Sequence, residues 1–379
     1  MFSQLTIRKA IDLKTSSESL KIGILTFHRC INFGSYWQAR CLAEGLQQRG
    51  HEVEILDHQS RRVNFVEWKC ALQPVLPTPV PQGDRPLYRE KINKFFRVFD
   101  TMPLSKPFDL DNPATMDEYD LVVVGSDEVW NLSHPWYGCC PLFYGDGVRA
   151  TRLISYAASF GNFDASWGLH PHWAAKLHNF DKISVRDDNS KSIIKSALGF
   201  EPEMVLDPCL QFPINPDPRD LSHLPERYIA VYGHNFSEFF IDQVRRYAKE
   251  QNLPLVSFGY RNDWADVQWI TADPHDYANF MAKAEAVVTN FFHGCVFALI
   301  NAKPLVCETS PYRSNKVQGL MKKIGAEGHL VYEDTAPEVY DLRLSNPLDG
   351  QILVRINELR ATSNAYLDEA LVPEQLELS

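Results

Sequence analysis

The feature that most constrains the fold of this sequence is a repeated alternation between short apolar runs and segments of helical periodicity. The first unit joins the run KIGILTF at 21–27, the turn INFGS, a helical pattern that ends at Gly50, and the run EVEILDH at 52–58. Strand–helix–strand units with short connections are typical of parallel sheets covered by helices. The sequence therefore predicts an α/β protein. Further apolar runs lie at 120–131, 153–161, 182–188, 201–208, 227–233, 253–259, 267–271, 284–290 and 304–308.

The chain is long enough for two domains, because 379 residues exceed the roughly 100–200 residues of a typical single domain. Proline and aspartate concentrate at 212–226, which predicts the boundary between them. We expect two doubly wound, Rossmann-like domains that face a cleft. The predicted parts are a flexible extension at 1–20, an N-terminal α/β domain at 21–215, a C-terminal α/β domain at 216–345, and a helix at 346–379 that packs back across the domains.

Residues 71–86 interrupt this pattern with five prolines and a glycine. Proline cannot donate a backbone hydrogen bond and is disfavoured inside helices and central strands. The stretch is therefore predicted to be a surface loop without helix or central strand, able to cover a site.

Composition excludes several classes of protein. A formal charge of −10 gives no support to a nucleic-acid partner. The eight cysteines form no C-x-x-C pair and the histidines show no metal-ligand spacing, so neither a metal site nor a disulfide framework is predicted. The N-terminus lacks the apolar core of a secretion signal, and no apolar run reaches the ~18 residues that span a bilayer. We expect a cytoplasmic protein; contact with the inner face of the membrane and homo-oligomer formation stay open.

Polar residues and glycines occur where the apolar runs end. Ligands of open parallel sheets bind beyond the carboxyl ends of the strands. We therefore expect these residues to meet at one crevice between the two domains. The candidates are Asn32, Gly34, Ser126, Asp127, Arg186, Asn290, His293 and Gly294.

His293 lies at a predicted strand-to-helix joint, in the apolar stretch VVTNFFHGCVFALINAKPLV at 287–306. A helix N-terminus carries free N–H groups and a partial positive charge, which stabilise a bound anion. Gly294 lets a ligand approach the backbone closely. A histidine in this position is a candidate proton donor at neutral pH, and the alternative is a core histidine bonded to a carbonyl.

Three basic residues are candidate anion ligands. Arg186 follows an apolar strand, and its guanidinium can grip a carboxylate or phosphate with two N–H groups. Arg313 and Lys316 lie near the start of a predicted helix that reaches the same crevice. The structural alternatives are an ion pair of Arg186 with Asp187 or Asp188, and a solvated helix face for Arg313 and Lys316.

The remaining candidates have structural alternatives as well. Asn32 and Gly34 either border a ligand or form a plain turn, and their NFGS segment is not a dinucleotide fingerprint. Asp127 either orients or deprotonates a hydroxyl group or caps the turn that follows it. Asp207, in LDPCL, is predicted to form a structural turn.

Six segments of the chain form an ordered set: GILTFHRCINFGSYWQARCLAEGLQQRGHEVEILDH, DLVVVGSDEVWN, ISYAASFG, ISVRDDNS, VLDPCLQF and VVTNFFHGCVFALINAKPLV. In this order they resemble the blocks of the polysaccharide pyruvyl transferase family. The resemblance implies a fold similar to the GT-B glycosyltransferases, phosphoenolpyruvate as donor and a sugar or lipid-linked oligosaccharide as acceptor, with no cofactor. It also implies that His293 is the acid, that Arg186 and either Lys316 or Arg313 hold the donor, and that Asn32 lies near it.

Two other functions stay open. A glycosyltransferase that uses a nucleotide sugar would share the cleft and would need a ribose-binding carboxylate, for which Glu308 is the candidate. A non-catalytic family member that binds a glycan or a partner protein is the second. It is motivated by two departures from the family pattern, INFGS where NNYGA is common and FFHG where SFHG is common. A third departure is Glu128, where glutamine is common.

Overall fold

The computed structural model describes residues 19–309 and 314–372, without the side chains of Ser314 and Asn315. Most of the predicted extension at 1–20, and Arg313, therefore lie outside the described residues. Each long apolar run of the sequence forms a strand, because alternating β-branched and aromatic side chains suit a sheet that is buried on both faces. The strands are β1 Lys21–Leu25, β2 Glu52–Ile55, β3 His58–Gln59, β4 Phe108–Asp109, β5 Tyr119–Val124, β6 Ala150–Ser155, β7 Ser184–Val185, β8 Glu203–Met204, β9 Ile229–Tyr232, β10 Leu255–Phe258, β11 Val267–Trp269, β12 Ala286–Thr289, β13 Leu305–Glu308 and β14 Leu330–Val331.

The helices follow the strands in the expected alternation. Several begin at a residue whose side chain caps the first turn, as Asn32, Asp187 and Asp273 do. The helices are α1 Phe33–Gln47, α2 Arg61–Leu72, α3 Arg85–Phe99, α4 Pro171–Leu177, α5 Asp188–Leu198, α6 Pro208–Gln211, α7 Glu238–Glu250, α8 Pro274–Lys283, α9 Phe292–Ile300, α10 Ser314–Lys323, α11 Pro337–Ser345 and α12 Gly350–Leu371. Short 3₁₀ turns lie at Gln82–Asp84, Pro113–Thr115, Pro141–Tyr144, Ala165–Trp167 and Glu327–His329.

Two parallel sheets organise the chain. The first has the order β2-β1-β5-β6, and the second has the order β11-β10-β9-β12-β13-β14. In each sheet the chain builds outward on one side and then returns to build on the other. The direction changes between β1 and β5 in the first sheet and between β9 and β12 in the second. Such switch points are where open α/β sheets bind ligands.

The two sheets share one hydrophobic core. A single cluster of buried side chains runs from Ile22 in β1 to Leu371 in α12. At its centre Phe33 contacts the rings of Phe95, Tyr232, Phe258 and Tyr277. The start of α1 is therefore packed directly against the second sheet.

The C-terminal helix α12 contacts both halves of the chain. The Tyr366 hydroxyl donates to the carbonyl of Ser155 at 2.7 Å, and the Ser363 hydroxyl accepts from the N–H of Leu206 at 2.9 Å. Near its beginning, Arg355 donates to the carbonyl of Lys323 in α10. Among the described residues, no helix is both long and apolar enough to cross a membrane.

The structure corrects the prediction for 71–86 at both ends of that stretch. The helix α2, which periodicity did not predict, runs to Leu72, and α3 already begins at Arg85. Proline at the second position of α3 is compatible with a helix, because the first N–H groups of a helix have no intrahelical partner. The prolines therefore exclude regular structure only between 73 and 81.

Candidate functional site

A cavity of about 520 Å³ lies at the carboxyl ends of the strands, between the two switch points. Its first wall comes from the N-terminal sheet and includes Asn32, Asp127 and Arg186. Its second wall comes from the C-terminal half and includes His293 and Lys316. The predicted crevice therefore exists, and five of the candidate residues line it.

Arg186 is the centre of the charge network in this cavity. Its side chain is only 3% exposed. One terminal nitrogen, Nη1, donates to Asp207 at 2.8 Å, and the other, Nη2, donates to Asp127 at 3.1 Å. Ser126, which is fully buried, accepts a longer bond of 3.4 Å from Nη1. Ion pairs thus hold the guanidinium in a fixed orientation, but the partners are Asp127 and Asp207 rather than the adjacent Asp187 or Asp188 considered from the sequence.

His293 faces Asp207 across the interface between the halves. Its Nε2 lies 3.6 Å from the Asp207 carboxylate. The hydroxyl of buried Tyr277 donates to the backbone carbonyl of His293 at 3.0 Å, which fixes the start of α9. Burial alone would raise the pKa of the Asp207 carboxyl, but His293 and Arg186 together hold it well below its ordinary value. Asp207 is therefore a permanent anion beside the imidazole.

Three cavity-lining side chains keep a buried polar atom without a hydrogen-bond partner among the described residues. These atoms are Arg186 Nε, His293 Nε2 and Trp136 Nε1. Buried polar groups in folded proteins are almost always paired, so unpaired ones call for an explanation. Two of the three belong to predicted site residues, Arg186 as a ligand of the donor and His293 as the acid. The arrangement is able to receive a ligand that carries acceptor oxygens.

Lys316, from α10, forms an ion pair with Glu128. Burial would raise the pKa of Glu128, but Lys316 lowers it to about 2. The Glu128 carboxylate also accepts from Asn131 at 2.8 Å. This pair joins the two walls of the cavity at a second point. Arg313, the other basic candidate of this segment, lies outside the described residues.

Four further candidates support the site rather than line it. Gly34 lies against the His293 ring, since a Cβ atom there would be 2.0 Å from Nδ1. Ser126 accepts a hydrogen bond from Arg186. Asn290 donates to the carbonyl of His234 at 2.8 Å, and Gly294 packs on the side chain of Thr289.

Asn32 and Asp127 combine lining and structural roles. The Asn32 side chain accepts from the N–H groups of Gly34 and Ser35 and caps α1. The Asp127 carboxylate accepts from the Ser35 hydroxyl at 2.8 Å as well as from Arg186. Both structural alternatives from the sequence thus apply, and both side chains still border the cavity.

Asp207 is one residue of this site whose role the sequence interpretation missed. It does form the predicted turn, because it accepts from the N–H of Cys209 and caps α6. It also binds Arg186 and faces His293. Its position after β8, at the carboxyl end of a strand, is the same signal that identified the other candidates.

A cation is not favoured at this point of the cavity. Asp207, Cys209 and His293 bring a carboxylate oxygen, a thiol and a ring nitrogen within 4.8 Å of one another. However, Arg186 already neutralises the carboxylate. Burial, with the nearby Cys41 and Asp207, raises the pKa of the Cys209 thiol well above its ordinary value, and only the thiolate binds metals well. The absence of a metal site stays a prediction.

Glu67 of α2 and Lys91 of α3 form a second pair of ionisable groups in the cavity wall. Lys91 is 2% exposed, and its ammonium group donates to the carbonyl of Gly259 at 2.9 Å. Glu67 accepts from the N–H of Ile31 at 2.7 Å. Burial lowers the pKa of Lys91 to about 7 and raises the pKa of Glu67 to about 7. Helical periodicity alone did not identify either residue, because Lys91 is buried by contact with the opposite half of the chain.

Replacing Lys91 by methionine is expected to change how stability depends on pH. The unfolded chain keeps the Lys91 proton up to a pH of about 10.4, whereas the folded protein loses it near pH 7. Between these pH values the unfolded state binds more protons than the folded state. The free energy of unfolding therefore rises with pH, and the destabilisation caused by buried Lys91 becomes smaller. In denaturant titrations the advantage of Lys91→Met over wild type should shrink by about 2–4 kcal/mol from pH 7 to pH 10. The exposed Lys249→Met is the control, and an equal advantage at all pH values would contradict the assignment.

The architecture is similar to that of several solved structures. A UDP-N-acetylglucosamine 2-epimerase aligns with a TM-score of 0.52 at 10% identity, over 95% of this chain and 98% of the epimerase. The S. aureus MnaA–UDP co-structure gives 0.49 at 13% identity over 90% of both chains. The glycosyltransferase SnogD from Streptomyces nogalater gives 0.43 at 13% identity, over 92% of this chain and 96% of SnogD. These likenesses concern the fold alone, and the predicted GT-B-like pair of Rossmann-like domains facing a cleft is confirmed.

The sequence comparison identifies a family. None of the curated proteins compared with this sequence matches it. The family model described as polysaccharide pyruvyl transferase matches residues 32–310, which is most of the chain. That span contains Asn32, Asp127, Arg186 and His293. The chain belongs to the polysaccharide pyruvyl transferase family.

Proposed function

We propose that this protein transfers the enolpyruvyl group of phosphoenolpyruvate onto two hydroxyls of a sugar, forming a pyruvate ketal and releasing phosphate. The acceptor belongs to a bacterial surface polysaccharide or glycoconjugate and is modified in the cytoplasm. One observation carries the proposal. Arg186 and His293 line one cavity from opposite walls, and each has a buried side-chain nitrogen without a hydrogen-bond partner among the described residues.

The charges of the cavity suit a small ligand with two anionic groups. Phosphoenolpyruvate carries a phosphate and a carboxylate. Arg186 keeps its Nε–H uncommitted while its terminal nitrogens hold Asp127 and Asp207, so a ligand oxygen can bind without breaking either ion pair. Lys316 offers a second cation at the same cavity, and an ammonium with three donors can serve Glu128 and a ligand together.

The chemistry needs an acid and a path for two hydroxyl protons. His293 would donate a proton to the methylene carbon, and the carboxylate of Asp207, 3.6 Å from its Nε2, helps to hold the imidazole in place. The resulting oxocarbenium-like centre is attacked by the first acceptor hydroxyl, whose proton passes to Asp127. Phosphate then leaves with the C–O bonding pair, and the second hydroxyl attacks the oxocarbenium-like carbon that this departure regenerates. Its proton passes to the His293 imidazole, which the first step left deprotonated, and the ketal ring closes. The buried walls of the cavity keep water from intercepting the cationic centre.

Ligand-induced stabilisation provides the first test. Phosphoenolpyruvate at 100 times its Kd should add about 2.7 kcal/mol to the free energy of unfolding. The gain should disappear in Lys316→Ala and in Arg186→Ala. It should persist in Arg227→Ala, since this exposed arginine precedes the amino end of β9 and does not line the cavity. Phosphate release with sugar acceptors follows as the second measurement. A shift with UDP- or GDP-sugars and none with phosphoenolpyruvate would refute the proposal.

No observation favours a nucleotide-sugar transferase over this proposal. Its candidate ribose ligand, Glu308, accepts from the N–H of Ser237 at 3.0 Å, at the start of α7. Among the described residues, the carboxylates that line the cavity are Glu67, Asp127 and Glu128 instead. A non-catalytic family member would show phosphoenolpyruvate or glycan binding without phosphate release in the same assays.

Substitution of Gly34 by alanine is expected to displace the catalytic imidazole. The added methyl group would meet the ring of His293 at 2.0 Å, so the ring or the start of α1 must move. A displacement of about 1 Å can lower turnover by about 10²-fold. Phosphate release measures the effect. Gly319→Ala, in α10, is the matched control because nothing lies within 4 Å of its added atom, and equal activity of both variants would contradict the placement of His293.

A further inference from the structure

We propose that helix α2 binds the surface of an anionic lipid bilayer through its outward face, formed by Arg61, Arg62, Phe65, Trp68 and Lys69. This binding would place the cavity mouth at the membrane, where a lipid-linked sugar is presented. The role of this contact in presenting a lipid-linked sugar rests on the proposed function, but the contact itself does not.

The helix carries aromatic and cationic side chains on one side only. At about 100° per residue, these five residues fall within an arc of about 120°. Phe65 is 67% exposed and Trp68 is 43% exposed, which is unusual for two large aromatic side chains so close together. Arg61, Arg62 and Lys69 are exposed beside them. The arc contains no acidic residue, although the whole chain has a charge of −10.

The opposite face of the same helix belongs to the cavity. Val63 is buried there, and Glu67, Cys70 and Ala71 line the cavity. The chain beyond the helix continues along the rim, where Pro74 and the 79% exposed Val75 also line it. One helix therefore separates the outer aromatic surface from the site, and the apolar surface continues onto the cavity mouth.

Charge complementarity favours lipid as the occupant of this face. Helices that lie in the membrane interface combine Trp and Phe with Lys and Arg on their contact side. Each basic residue near the surface of an anionic leaflet strengthens binding by about twofold to tenfold. Because the rest of the molecule is acidic, the bilayer would meet this face in preference to others.

Vesicle flotation tests the contact directly. Wild-type protein should float with phosphatidylcholine vesicles that contain 30% phosphatidylglycerol, and not with phosphatidylcholine alone. The double variant Phe65→Ser, Trp68→Ser should lose at least tenfold in binding, and Arg61→Gln, Lys69→Gln should lose most of its binding. Arg62 is left in place because it donates to the carbonyl of Trp136. Trp167→Ser is the matched control, since Trp167 is 65% exposed on another surface.

The outcomes separate this proposal from the one on function. Stabilisation by phosphoenolpyruvate, measured on the same samples, should be equal in wild type and in the α2 variants, because no substituted side chain lines the cavity. Absent binding of wild type to anionic vesicles, or binding that the α2 variants retain, would overturn the membrane contact whatever the donor is. Loss of flotation with retained stabilisation would support the contact and leave the donor assignment intact.

Discussion

The variant His293→Ala is expected to lower turnover by about 10²–10⁴-fold while it leaves the fold unchanged. The imidazole is the ionisable group that faces Asp207 across the cavity, and its Nε2 has no hydrogen-bond partner among the described residues. The contacts that hold this part of the backbone do not involve the ring, since Tyr277 binds the carbonyl of residue 293. Substitution by alanine therefore removes the acid but keeps the backbone contact that holds residue 293 in place.

Steady-state phosphate release, together with unfolding curves, would measure this effect. The variant His293→Gln separates proton donation from hydrogen bonding, because glutamine can donate a hydrogen bond but cannot transfer a proton. Both variants should still be stabilised by phosphoenolpyruvate, at least in part, since Arg186 and Lys316 remain. Turnover within a few fold of wild type in either variant would rule out His293 as the acid.

The second large effect is expected for Asp207→Asn. Asparagine is as good a helix cap as aspartate, so the bond to the N–H of Cys209 survives and only the charge is lost. Arg186 then keeps one anionic hydrogen-bond partner, Asp127, and the His293 imidazole loses the carboxylate that lies 3.6 Å from its Nε2. Because breaking a buried ion pair is costly, stability should fall by about 3 kcal/mol, and turnover should fall by at least 10²-fold.

Donor binding should move in the opposite direction in this variant. Removing a negative charge from the cavity favours an anionic ligand, so the Kd for phosphoenolpyruvate should stay equal or decrease. Isothermal titration and phosphate release on the same preparation would show this split. Asp349→Asn, the exposed cap of α12, controls for the change of capping residue. A weaker donor affinity with unchanged turnover would show that Asp207 only binds the donor.

Much of the fold and part of the site could be predicted from the sequence. Strands buried on both faces appear as apolar runs, and the polar residues after β5, β7 and β12 lie at the predicted crevice because parallel strands end on the same side. Arg186, Asp127 and His293 were found in this way. Lys316 was found from its position near the start of a helix.

The rest depended on contacts between distant parts of the chain. Asp207 looks like a turn residue until Arg186 and His293 are placed beside it. Lys91 belongs to an amphipathic helix. The sequence alone does not distinguish a polar face that is exposed to solvent from one that another sheet covers. Gly34 has an ordinary place in a turn, and only the position of the His293 ring shows why a side chain would not fit.

The cluster around Phe33 has a consequence for how the molecule comes apart. Its rings come from α1, α3, β9, β10 and α8, so at this cluster each half is covered only by the other. Heating should therefore give one calorimetric transition whose van't Hoff and measured enthalpies agree, as for a single cooperative unit. Either half expressed alone would expose this apolar surface and aggregate. The catalytic geometry is therefore present only while both halves are folded.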